Sequence, residues 1–400
     1  MPKNIVFCAD GTWNGPNEDD QDDVPETTNV WKLFLNIAGD PHNSSVLYAN
    51  EQEVSLSLGG QCVQVAKYLH GVGDSRNPII KMLGGVFGWG LIARIVRGYT
   101  FISRNYEAGD LIFIVGFSRG SYTARALGGL IADQGLLNAN TLDLTDPLVA
   151  YRNGIAAWRA HRANRVSAIA QTWNASIFSL FRDVEGFLTL LPSIDPKDLV
   201  PGIQIQAIGV WDTVGSMGIP LYVESGDARV DVFRFADTAL SPAVLNGFHA
   251  VSVDEQRSDF TPTLWDPREN VTQVLFPGAH ADVGGGYPPT DNQNGLSDGA
   301  LAWMTSCLSG TLSGILFRNP FLPMAPSALG VAHQPWNSGV FANLPRGPRD
   351  FSKCLPLGVH HSIRDRLAAG PVQGDPSIDP CPYVPSTLAN YFATSVTTWI

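Results

Sequence analysis

Ser118 stands at the centre of Gly116-Phe117-Ser118-Arg119-Gly120, directly after the apolar run Ile112–Val115 and before the small-residue stretch Ser121–Leu127. A strand, a sharp turn and a helix in that order form the context of a nucleophile elbow. The turn projects the serine hydroxyl above the sheet. Gly116 and Gly120 flank it at two residues on either side, where side chains would collide across the turn. The following helix directs its amino end at a developing oxyanion, with the Arg119 N–H as one donor. Such a serine needs an acid and a histidine, in the chain order Ser, Asp, His. The run Ile203–Val210 leads into Trp211-Asp212-Thr213, and the run Val271–Phe276 leads into Pro277-Gly278-Ala279-His280. Both Asp212 and His280 are thereby expected at strand ends, on the rim that carries Ser118. His280 would act as general base and Asp212 would hold its tautomer. A second oxyanion donor is expected from Gly11 or Thr12, in the loop after the first strand. The alternative for Asp10-Gly11 is a plain turn.

Other titratable residues compete for roles. His249, in Asn246–Val251, is read as a packed or hydrogen-bonded residue on a helix. One of His360 and His361 could reach the site. Asp282 could orient His280 or cap the next turn, and Asp254 reads as a helix-face acid. Asp74 carries little information, and the cluster Glu18–Asp23 reads as a solvated acidic loop. Phe117, Trp211, Phe321 and Trp336 are the apolar candidates for substrate contact. The sequence holds no P-loop, no HExxH and no GxGxxG opening a helix after a strand, so neither a cofactor nor a metal ion is expected.

These residues need a scaffold. The runs Ile5–Cys8, Leu111–Val115, Ile203–Val210 and Val271–Phe276 read as strands buried on both faces. Helical segments are expected at Leu91–Tyr106 and Ser121–Ala132. The alternation predicts an α/β fold, a mostly parallel doubly wound sheet with helices on both faces, in a single domain over residues 1–400. Ligands of such sheets bind beyond the carboxyl ends of the strands. Residues 146–198 read as a helical cap insertion, with a crossover helix pair as the alternative. Residues 319–345, with five prolines, read as an apolar lid loop.

Composition bounds the function. The chain has 400 residues with 26 Lys+Arg against 37 Asp+Glu, a net charge of −11 that opposes binding to nucleic acid. Only 16% of residues are charged and 44% are hydrophobic, against about 25% charged in ordinary soluble domains. The five cysteines are dispersed with no CxxC pair, which favours a reducing compartment. The short apolar run at the N-terminus lacks a secretory pattern, and Gly299–Phe317 is diluted by Ser and Thr. A cytoplasmic protein is expected.

The sequence resembles the α/β-hydrolase domain family that includes type VI secretion phospholipase effectors of the first lipase-effector class. The resemblance is carried by FCADGTWN at Phe7–Asn14, GFSRGSYTAR at Gly116–Arg125, VWDTVGS at Val210–Ser216, FHAVSVDEQRSDFTP at Phe248–Pro262 and FPGAHADVGGGY at Phe276–Tyr287, with GLSDGALAWM at Gly295–Met304 after them. It implies an α/β-hydrolase fold and a triad of Ser118, Asp212 and His280. It also implies a lipase-, phospholipase- or esterase-like activity on a small-molecule ester or lipid. The apolar cap and lid segments suggest an acyl-chain substrate, and transient contact with a membrane or lipid surface is expected. An amidase or short-chain esterase on the same triad, or a binding protein that kept the fold, are the alternatives.

Overall fold

The first strand, β1 (Asn4–Ala9), shows why the apolar runs are uninterrupted. Ile5, Phe7 and Ala9 point into one hydrophobic core, while Val6 and Cys8 point into a second on the other face. A strand covered on both sides has no polar face to display. The computed structural model describes residues 2–11, 27–41, 51–70, 87–169, 193–214, 239–311, 313–337, 342, 345–351, 357–376, 378–388 and 398–399.

In chain order, β1 is followed by α1 (Asn29–Asn36), β2 (Asp40–Pro41), β3 (Glu51–Leu58), β4 (Gln61–Leu69), α2 (Phe87–Asn105), β5 (Leu111–Phe117) and α3 (Arg119–Gln134). Then come β6 (Leu136–Leu137), α4 (Pro147–Ile169), β7 (Leu199–Val200), β8 (Ala207–Trp211), β9 (Gly247–Ser252) and β10 (Val271–Phe276). The last are α5 (His280–Gly284), α6 (Gly295–Gly310), β11 (Gly358–Val359), α7 (His361–Ala368) and β12 (Thr398–Trp399). Ten of the strands form one sheet in the order β12-β11-β10-β9-β8-β5-β1-β4-β3-β2. Every neighbouring pair from β12 to β4 is parallel, and only the β4-β3-β2 edge is antiparallel. Helices α2, α3 and α4 supply the core on one face; α1 and α6 supply it on the other.

Two elements differ from the sequence reading. The stretch Asn246–Val251, read as a helix, falls from Gly247 on in strand β9 (Gly247–Ser252). It carries a histidine in a row that is otherwise apolar, so its pattern did not look like a buried strand. The pair β3/β4 also went unforeseen. It turns at Gly59-Gly60, whose φ values of 59° and 80° are the two positive angles that a tight hairpin turn requires.

The segment read as a cap divides. Its first half is α4, whose Ala150, Ile155, Ala157 and Trp158 belong to the core shared with α2 and α3. His161 Nδ1 fastens it to Asp133 of α3 at 2.8 Å. It is a packed layer. The apolar stretch 177–191 lies outside the described residues.

The segment read as a lid loop is tied down over its described part. Leu322 N–H donates to Asn36 Oδ1 (2.6 Å), Ala325 N–H to Asp298 Oδ2 (2.9 Å), and Ser327 N–H to the Gly295 carbonyl (2.9 Å). The prolines set the extended path, and buried acceptors on α1 and α6 take its amides. Among the described residues, no helix is long and apolar enough to cross a membrane.

Candidate active site at the strand carboxyl ends

Ser118 follows β5 directly and precedes α3, with φ 56° and ψ −122°, a conformation an L-residue adopts only under constraint. The constraint is visible. Ser118 N–H donates to the Trp211 carbonyl at 3.1 Å, and Ser121 Oγ donates to the carbonyls of Gly116 (2.8 Å) and Trp211 (2.9 Å). A Cβ on Gly116 would lie 2.4 Å from the Gly120 carbonyl oxygen. A Cβ on Gly120 would lie 2.0 Å from the Ala9 carbonyl oxygen and 2.6 Å from that of Asp10. The first glycine therefore permits the turn, and the second permits α3 to start against the end of β1.

Asp212 is the first residue past β8, the strand next to β5, and it too has a positive φ of 37°. Its Oδ2 accepts from His280 Nδ1 at 2.5 Å, and its Oδ1 accepts from Ser252 N–H at 2.9 Å. Arg349 closes on the same carboxylate as a fork, with 2.7 Å to Oδ1 and 2.9 Å to Oδ2. All three side chains are nearly inaccessible to solvent. Burial by itself would raise the Asp212 carboxyl, but Arg349 and His280 hold it well below the usual carboxylate range. His280 is shifted down, because burial disfavours imidazolium more than Asp212 favours it. The two directions agree physically. The Arg349 fork already offsets much of the Asp212 charge, so the imidazole faces a nearly neutral ion pair.

The ring of His280 lies against Phe117 (centroids 4.7 Å apart) and meets Phe260 edge-on at 5.0 Å. Phe117 is the residue before Ser118, and a Cβ on Gly284 would enter its ring. The backbone N–H of His280 donates to Glu255 Oε2 at 3.2 Å, and Glu255 is gripped by Arg257. A histidine held in this way, with Nδ1 committed to a carboxylate, keeps Nε2 as its proton-accepting atom.

The oxyanion candidates stand differently. Arg119 opens α3, directly after Ser118. Gly11 N–H already donates to Asp10 Oδ1 at 2.6 Å, so it would have to share that bond to serve an oxyanion. Asp10 also accepts from Thr28 and Tyr68, both at 2.6 Å, and burial pushes its carboxyl up to about 6. Thr12 lies outside the described residues.

Three of the four side chains read from sequence as apolar contacts point away from Ser118 and His280. Trp211 is fully buried between sheet and helices and serves the site through its carbonyl. Phe321 packs on Phe317 at the opposite end of the sheet, where Asn4 Nδ2, at the start of β1, donates to the Gly314 carbonyl. Trp336 is buried behind the His280 loop, lining a cavity of about 210 Å³ with Asp254, Arg366 and Tyr383. Phe117 is the one whose side chain touches the site, as the surface on which His280 lies.

The competing acids and histidines have structural partners. His249 Nε2 accepts from Thr213 N–H at 3.1 Å and Nδ1 meets Gln273 at 3.3 Å; burial, then Arg125, lowers it to about 3. Asp254 lies in a loop, where it accepts from Gly278 N–H (2.6 Å) and Tyr383 (2.8 Å) and is pushed up to about 6 by burial. Asp282 accepts from Ala279 N–H at 2.8 Å and pairs with His333 at 2.6 Å, so it braces the turn that presents His280. His360 stacks on Phe276 and caps α7 through Ser362. Arg349 was missed, since a lone arginine in a proline-rich stretch has no pattern. Among the described residues, no cluster of three or more His, Cys, Asp or Glu is placed to hold a metal ion.

Comparison with known proteins adds a lineage to this geometry. The uncharacterized protein YEL023C of Saccharomyces cerevisiae is 26% identical over 276 residues, 68% of this chain and 34% of its own length. The crystal structure of an uncharacterized protein from Pseudomonas aeruginosa aligns with a TM-score of 0.39 and 16% identity, covering 81% of this chain and 48% of that one. The structure of the Tle1 effector bound to the VgrG spike of the type 6 secretion system aligns with a TM-score of 0.35 and 18% identity, covering 72% and 52%. The chain thus spans about a third of the yeast relative and about half of each solved chain. Residues 3–307 match the family described as T6SS phospholipase effector Tle1-like, catalytic domain, and the chain belongs to that family.

Proposed function

We propose that the protein is a serine hydrolase of α/β-hydrolase type that cleaves carboxylic esters of lipids through an acyl-enzyme. Ser118 Oγ attacks the acyl carbon while His280 Nε2 takes its proton. The Arg119 N–H stabilises the oxyanion, and the same imidazolium returns the proton to the departing alcohol. Water then repeats the sequence to release the acid. Asp212 holds the proton on Nδ1 throughout. The observation that carries the reading is the 2.5 Å Asp212–His280 bond at the rim where Ser118 occupies a strained turn. The lipid part rests on the family, whose description names a phospholipase effector.

A fluorophosphonate probe tests the nucleophile. Wild-type protein is expected to label at Ser118 and Ser118→Ala to remain blank; equal labelling of the two sinks the assignment. A series of p-nitrophenyl esters tests the substrate class, with long acyl chains expected to outperform acetate. A clear optimum at acetate would point to a short-chain esterase.

The lowered His280 makes a separate prediction about pH. The base must be neutral, and a downward shift keeps it neutral to lower pH. The acid limb of kcat/KM is therefore expected below about pH 6.5, where an unperturbed histidine titrates. A limb above that value would mean that the base is another group or that the imidazolium is favoured.

A further inference from the structure

Arg349 lies outside the residues matched to the family, in a segment whose sequence carries no motif. Its guanidinium nevertheless makes four hydrogen bonds at the centre of the site. Nη1 donates to Asp212 Oδ1 (2.7 Å) and the Ser252 carbonyl (2.6 Å), and Nη2 donates to Asp212 Oδ2 (2.9 Å) and the Phe260 carbonyl. Ser252 ends β9 and Phe260 touches the His280 ring, so this one side chain ties together the carboxylate, the neighbouring strand and a wall of the imidazole pocket. Each Asp212 oxygen then holds two donors: Ser252 N–H and Nη1 on Oδ1, His280 Nδ1 and Nη2 on Oδ2. The carboxylate plane has one orientation left, and in it Oδ2 faces Nδ1. A planar fork can fix that plane; a point charge cannot.

We propose that Arg349 is a positioning residue, which fixes the Asp212 carboxylate so that His280 presents Nε2 to Ser118. The inference rests on the hydrolase reading for its kinetic consequences but not for its geometry. Other titratable groups surround the pair: Glu255 beneath the His280 N–H with Arg257 on it, and His249 with Arg125 behind Asp212. None of them bridges both Asp212 oxygens. Removing the fork leaves a buried carboxylate that takes up a proton more readily, beside an imidazole relieved of a neighbouring cation. Both effects move the acid limb of the pH profile upward.

Arg349 also lines a cavity of about 390 Å³ rimmed by the exposed Arg346 and Gly347, which gives a small solute a route to its place. In Arg349→Ala, kcat is expected to fall about 10²-fold, the scale on which a misplaced catalytic group is felt. KM should change little, and the acid limb should move to higher pH. Methylguanidinium is expected to restore kcat in this variant and to do nothing for wild type. A folded Arg349→Ala with parental kcat and parental pH profile overturns the proposal. If the alanine variant does not fold, Arg349→Lys, which keeps the charge and loses the planar fork, carries the test: lowered kcat supports the proposal, and parental kcat overturns it. The downfield proton resonance of His280 Nδ1–H reads the same geometry without catalysis. Its titration should move to higher pH in Arg349→Ala and its chemical shift should change in Arg349→Lys; a resonance unchanged in both overturns the proposal. If wild type takes no fluorophosphonate, the hydrolase reading has failed, while this resonance still decides the role of Arg349.

Discussion

Asp212→Asn is expected to lower kcat by about 10⁴-fold and to destabilise the fold in the same stroke. The kinetic loss follows from hydrogen-bond direction. An amide nitrogen in place of Oδ2 donates to Nδ1, so the imidazole proton moves to Nε2, the atom that must accept from Ser118. The stability loss follows from the fork. Oδ1 keeps Ser252 N–H and Arg349 Nη1, but the new NH₂ group meets Nη2 donor to donor. Arg349 is then a buried cation without its counter-charge, a situation that costs about 3–5 kcal/mol when one partner of a buried pair is removed. Chemical denaturation and steady-state kinetics on the same preparation check both halves. Undiminished kcat would remove Asp212 from the proposed triad; undiminished stability would mean that the ion pair contributes nothing to the fold.

Gly120→Ala is expected to be the most damaging single-methyl addition at the site. The added carbon would lie 2.0 Å from the Ala9 carbonyl oxygen and 2.6 Å from that of Asp10, both backbone atoms at the end of a central strand. No rotamer relieves the contact, so either α3 or β1 must shift. Overpacking of a well-filled core typically costs about 1–3 kcal/mol, and a backbone obstacle places this variant at or above the upper end. Because α3 starts directly after Ser118, the same shift should abolish labelling by fluorophosphonate. Gly299→Ala is the internal control. That glycine lies in α6 with nothing within 4 Å of an added Cβ, so alanine should stabilise by up to about 1 kcal/mol. A Gly120→Ala protein that unfolds and labels like wild type would mean that β1 and α3 separate more easily than their contact implies.

The central sheet was legible because its chemistry is monotonous. Strands β1 and β5 lie between two helix layers, so their central residues are apolar on both faces and the runs stand out between Gly, Asp and Pro. The strand ends bearing Ser118, Asp212 and His280 were legible for the same reason. What escaped were elements whose stability comes from partners distant in the chain. Strand β9 contains His249, made acceptable by Thr213 and Gln273, which no local pattern announces. Helix α1 is a short segment fastened by the Thr28 cap and by Val30, Leu33 and Phe34 on the core. Phe321 and Trp336 were read as substrate contacts because an apolar residue in a proline-rich stretch has the same composition whether it lines a mouth or seals a strap. The connection that decides, such as Leu322 N–H to Asn36, joins residues 286 positions apart.

The third hydrophobic core joins Val251, Val253 and Leu275, from β9, β10 and their flanks, to Phe351, Leu357, Val359, Ile363 and Leu388. Strand β11 extends the sheet from β10, and β12 extends it from β11. The stretch shared across the family ends at residue 307, in the middle of this arrangement. What is inherited as a recognisable unit and what folds as a unit are thus different lengths of chain. A protein cut at residue 307 would keep every motif and lose the covering of its own sheet, and a graft of those motifs onto another scaffold would have to bring a replacement for the missing edge.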